Sequence, residues 1–128
     1  MKKGTKLFLG IILASMMLGT TVLASTQGFE FYLVPERRVS TGNYPKADAE
    51  QRAYVSTTYG DLNSGDKVWF RVRYANENFA TVTKSTNIYT RMTLSYLKWV
   101  PAGGAYHLNG QQDTACKQVC TVGGNWTP

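Results

Sequence analysis

The sequence predicts an all-β domain, an antiparallel β-sandwich of the immunoglobulin-like or jelly-roll-like kind, preceded by a helical export leader. Three observations predict it. Several short segments alternate bulky apolar with polar residues at a period of two, the mark of a half-buried strand. Clusters of Gly, Asn, Asp, Ser and Pro separate those segments. No longer stretch carries a helical period, which argues against an α/β fold. Removing a leader of 24 residues from the 128 leaves 104, enough for a single domain with one modest core. That remainder keeps all eight Tyr and all three Trp, too rich in aromatics to be disordered.

The leader spans residues 1–24. Lys2, Lys3 and Lys6 form a positive start, an apolar run follows from Leu7, and Val22-Leu23-Ala24 places small or modest residues before Ser25. This is the pattern of a secretory signal peptide cleaved at that junction. Gly10, Gly19, Thr20 and Thr21 interrupt the run, which weighs against an uncleaved anchor. The leader would be the chain's sole membrane contact, made before cleavage. Three of the 14 basic residues leave with it, so 11 basic against 8 acidic residues remain, a net +3. Those charges are scattered and gather into no basic stripe or tail, which excludes nucleic acid as a partner.

In the domain at 25–128, residues 29–34 read as the first strand, with Phe29, Phe31 and Leu33 on one face and Pro35 closing it. Residues 40–45 read as loop. Residues 46–52 favour helix by composition but cover barely two turns, so they read as a polar connection. Residues 53–59 are β-branched and aromatic, and residues 60–66 are dense in turn formers. The clearest strand follows, with Val68, Phe70, Val72 and Tyr74 opposing Trp69, Arg71 and Arg73. Residues 75–78 make a turn and 79–83 a weaker strand. Residues 88–100 alternate throughout, but thirteen residues exceed a typical strand, so a bulge or bend is expected there. Asn109-Gly110 predicts a hairpin turn, because both residues tolerate positive φ. A last strand runs from Val119 towards Gly123-Gly124-Asn125, and Trp126 is expected to anchor the tail by packing.

Cys116 and Cys120 are the only cysteines. In an oxidising destination they are expected to form a disulfide that fixes a local turn, with free thiols as the alternative. A metal site from His107, Asp113, Cys116 and Cys120 is the sharper alternative, but the single His lacks a near partner and the spacing is not that of structural zinc, so neither metal nor other cofactor is expected. Catalysis is not expected either. His107 is the only histidine, placed beside the expected hairpin turn, and no serine sits in a nucleophile-elbow context. The acids Asp48, Glu50, Asp61, Asp66 and Glu77 read as solvated loop charges rather than a paired hydrolytic couple.

The candidate binding surface is the outward side of the clearest strand. With Phe70 and Val72 inside, Trp69, Arg71 and Arg73 must face away. A paired neighbour is expected to add Tyr89 and Arg91. Such a face can stack on sugar rings and hold carboxylate or phosphate groups bidentately. The competing reading puts Trp69 in the core and makes the arginines cross-strand ion pairs at an edge.

Three segments, Gly28-Phe29-Glu30-Phe31, Val68-Trp69-Phe70-Arg71-Val72 and Gly123-Gly124-Asn125-Trp126-Thr127-Pro128, together with the short leader, carry a resemblance. In them the chain resembles a family of small exported proteins of unknown function from Gram-positive bacteria. The resemblance implies export and small size, and no site residues. The expectation is a secreted, extracellular or wall-associated protein that binds at the cell envelope, its partner a wall glycan, an anionic wall polymer or another protein. An exported antimicrobial or toxin-like protein is the first alternative, and a small secreted hydrolase the second.

Overall fold

Alternation in the sequence becomes alternation in burial. In the computed structural model, which describes residues 26–87 and 89–128, Phe29, Phe31 and Leu33 of the first strand are buried between exposed neighbours. Val68, Phe70 and Val72 are fully buried in the same manner. The expected leader at 1–24, and Ile88 in the expected long strand, lie outside the described residues. Among the described residues nine strands form: β1 (Gln27–Leu33), β2 (Arg38–Ser40), β3 (Tyr44–Pro45), β4 (Arg52–Gly60), β5 (Val68–Tyr74), β6 (Lys84–Thr86), β7 (Thr90–Ser95), β8 (Ala105–Gln112) and β9 (Cys120–Thr127). Among the described residues there is no helix.

Two antiparallel sheets face each other, one of four strands in the order β1-β9-β4-β7, the other of five in the order β2-β8-β5-β6 with β3 also on β8. The pairs β1·β9, β2·β8, β4·β7 and β5·β6 are the rungs of one long hairpin folded at the β5–β6 turn. Rolling that hairpin brings β9 against β4 and β8 against β5, which closes the two sheets. This is the jelly-roll form of the sandwich.

Between the sheets, Phe29 and Phe31 of β1 meet Phe70 of β5, with ring centroids 5.7 and 6.4 Å from it. Gly110 explains why the rings fit. A Cβ there would stand 2.5 Å from the Phe31 ring, so the position admits no side chain. Asn109 and Gly110 therefore lie inside β8 rather than in the expected turn, Gly110 in register with both Val39 and Phe70. The expected long strand at 88–100 stops at Ser95. There the chain bends: the Tyr96 amide bonds to Gln51 O and the Leu97 amide to Ala80 O. Residues 79–83 make two isolated bridges, Arg73↔Phe79 and Thr81↔Tyr96, instead of a strand.

The connection at 46–52 is not merely polar surface. Lys46 is 1% exposed, its Nζ donating to Pro128 O at 3.2 Å, 3.6 Å from Asp48 and 4.9 Å from the centre of the Tyr96 ring. Burial lowers its pKa against the opposing pull of Asp48. Trp126, at 1% exposure, packs edge-on against Tyr44 and does anchor the tail, as its place in the sequence predicts.

Candidate functional site

β5 sits inside its sheet between β6 and β8, so its outward residues stand in the middle of a face rather than at an edge. Ladder register sets what lies beside them, because residues opposite one another point to the same side. Gln111 of β8 is opposite Trp69 and also opposite Arg38 of β2. Two residues along, Asn109 is opposite Arg71 and Ser40; two further, His107 is opposite Arg73, which bridges to Phe79. The result is a shallow groove of about 200 Å³ floored by Asn109 and Gln111 and walled by Arg38, Trp69 and Arg71.

Each wall residue is held. Trp69 is 40% exposed, and its indole N–H donates to Asp113 Oδ1 at 2.8 Å. That hydrogen bond is the main reason the Asp113 carboxyl titrates below its ordinary range. The Arg71 guanidinium lies 3.6 Å from the centre of the Phe79 ring, and its Nε–H donates to Thr83 Oγ1 at 2.6 Å. Arg73 is 8% exposed; its Nε–H donates to Asn109 Oδ1 and an Nη1–H to Glu77 O at 2.7 Å. Asn109 in turn donates to Ser40 Oγ at 2.6 Å.

Desolvation, followed by the like charges of Arg73 and Arg38, lowers the Arg71 pKa. Desolvation and Arg38 do the same to Arg73, where Glu77 opposes them. The Glu77 carboxylate lies 3.3 Å from His107 Nε2. Among the described residues, none of Arg38, Arg71 and Arg73 has a carboxylate within ion-pair distance. The groove therefore supplies guanidinium and amide donors beside a π face.

Two of the expected site residues do not join this surface. Arg91 belongs to β7 in the other sheet, opposite Ser56, with its guanidinium 4.5 Å from the centre of the Tyr54 ring. Tyr89 precedes β7 at a φ of 64°, 80% exposed. The expected pairing fails because β5 takes β6 and β8 as neighbours, not β7. In their place stand Arg38, Asn109 and Gln111, which sequence reading missed. Alternation could have flagged Asn109 and Gln111, had Asn109-Gly110 not read as a turn.

The expected disulfide is also corrected. Cys116 and Cys120 are both free and buried. Cys120 opens β9 and its sulfur accepts from Gln112 Nε2 at 3.1 Å, whereas the Cys116 thiol, in the turn after β8, donates to Gln118 O at 3.6 Å. Each sulfur thus has its own partner, and burial pushes the Cys120 thiol pKa up. His107 is likewise buried inside β8, with Nδ1 2.9 Å from Asn43 Oδ1, rather than half-exposed beside a turn. Asp113 is taken by Trp69, and among the described residues no three His, Cys, Asp or Glu side chains gather as metal ligands.

Comparison with protein families, with curated proteins and with solved structures finds no match to this chain.

Proposed function

We propose that this chain is an exported, non-catalytic binding module that holds an anionic polymer of the cell envelope against the outer face of the five-stranded sheet. The observation that carries the reading is the grouping of Arg38, Arg71 and Arg73 without a carboxylate partner among the described residues. Like charges crowded on a half-desolvated face raise the energy of the free protein, and a bound anion relieves that repulsion. Guanidinium groups fit phosphate and carboxylate oxygens bidentately, so the cluster suits a polymer that repeats such groups. Export rests on the leader pattern at residues 1–24. Jelly rolls serve lectin domains among other uses, an architectural likeness that supports an envelope ligand.

Cosedimentation with isolated Gram-positive cell walls tests the reading. The mature chain should pellet with intact walls and stay in solution with walls stripped of their phosphate-bearing and uronate-bearing polymers. Equal pelleting with both preparations would refute an anionic ligand. Killing of related cells by the purified protein would favour the toxin-like alternative instead.

A further inference from the structure

We infer that the groove takes an acidic saccharide, a sugar ring bearing a carboxylate or phosphate, in preference to a plain polyanion. This rests on the anionic-polymer reading and narrows its ligand class. A polyol phosphate or other ringless polyanion needs the arginines alone. The groove contains more than that. Trp69 forms one wall with its N–H already spent on Asp113, so what it offers a ligand is carbon surface held in a fixed orientation. Such a surface stacks on the C–H face of a pyranose, and a ring ordered in advance loses little entropy on binding.

The amide of Gln111 lies between the walls, in register with Trp69 on one side and Arg38 on the other. Neighbouring strands lie ~4.8 Å apart, so the two walls stand about 10 Å apart across the floor, space for one sugar ring at a time. An amide offers a donor and an acceptor together, which matches a pair of adjacent sugar hydroxyls. Arg71 completes the pattern. Phe79 covers one face of its guanidinium and Thr83 takes its Nε–H, so its terminal N–H groups point edgewise for an anion. Arg73, deeper and bonded to Asn109 and Glu77 O, is a positioning residue that fixes the floor. Stacking wall, hydroxyl-matching floor and anion-binding edge thus lie within one ring's reach of each other.

Calorimetric titration of the mature chain with four probes tests this: an oligogalacturonate, a phosphomannan oligosaccharide, its dephosphorylated form and poly(glycerol phosphate). At least one acidic saccharide should bind tighter than poly(glycerol phosphate) by roughly an order of magnitude, and the neutral form should bind weakest. Whichever acidic probe wins identifies carboxylate or phosphate as the anion. Trp69→Ala and, separately, Gln111→Ala should erase that preference, bringing the affinity for the acidic saccharide down to that for poly(glycerol phosphate). Arg71→Gln should weaken every anionic probe. If poly(glycerol phosphate) binds as tightly as the saccharides and neither Trp69→Ala nor Gln111→Ala alters the ranking, the saccharide inference fails and the anionic reading stands. If no anionic probe binds, both fall.

Discussion

Gly124→Ala should destabilise the domain far more than Gly123→Ala, although the two glycines are adjacent in β9. Gly124 faces the β4 main chain in register with Thr57. An added Cβ would lie 1.9 Å from Ser56 O, 2.9 Å from its carbonyl carbon and 3.1 Å from Thr57 Cα, all main-chain atoms. Reaching the 3.0 Å below which real Cβ contacts essentially never fall means moving β4 off β9 by 3.0 − 1.9 = 1.1 Å. That displacement breaks ladder hydrogen bonds at the centre of the four-stranded sheet, and overpacking of this kind costs about 3 kcal/mol. At ~4–8 °C per kcal/mol for a domain near 100 residues, Tm should fall by roughly 12–24 °C. At Gly123 the obstacle is the Tyr59 ring, 2.1 Å away but on a half-exposed side chain free to swing aside. It would forfeit only one solvent-exposed hydrogen bond, to Glu30. Thermal melts followed by circular dichroism separate the two. Equal Tm values, or a larger loss for Gly123→Ala, would refute the register of β9 against β4 and the close approach it imposes.

Trp126→Ala should cost about 3–5 kcal/mol in urea unfolding, because the side chain is fully enclosed between Tyr44 and the core. Alkylation should leave Cys116 and Cys120 untouched in the folded protein near neutral pH and modify both in denaturant; a thiol count of zero after unfolding would restore the disulfide. Tyr96 and Tyr106 are neutral phenols whose pKa values burial pushes up. Their folded pKa values exceed the unfolded ones, so the stability they contribute is complete below the ordinary phenol range of about 10 and is lost as pH rises above it. Denaturant midpoints should therefore fall steadily on the alkaline side, and Tyr96→Phe should flatten that fall.

Period two was enough to read β1 and β5, because one side of each strand meets the core along its whole length. It was enough to turn Trp69, Arg71 and Arg73 outward for the same reason. What it could not read were glycines whose purpose lies across the fold. Gly110 makes room for Phe31 on the opposite sheet, and Gly124 for the β4 main chain, so neither marks the turn or strand end that local propensity assigns to glycine. Lys46 reads as surface, yet its ammonium is held by Pro128 O and the Tyr96 ring, groups far away in the chain. The site was half legible on the same logic. Alternation chooses the face of a strand, whereas strand order chooses its neighbours. Arg38 and Gln111 came to the groove, and Arg91 went to the other sheet, through the rolled pairing that brings β8 rather than β7 against β5.

Whether the outer face of the five-stranded sheet takes up an anion is read most directly from a salt series on purified wall polymer. Affinity should fall steeply with ionic strength for the parent chain, and should be weak and nearly flat for the doubly substituted Arg38→Gln/Arg71→Gln protein. Undiminished, salt-dependent binding by that double variant would place the ligand elsewhere on the molecule.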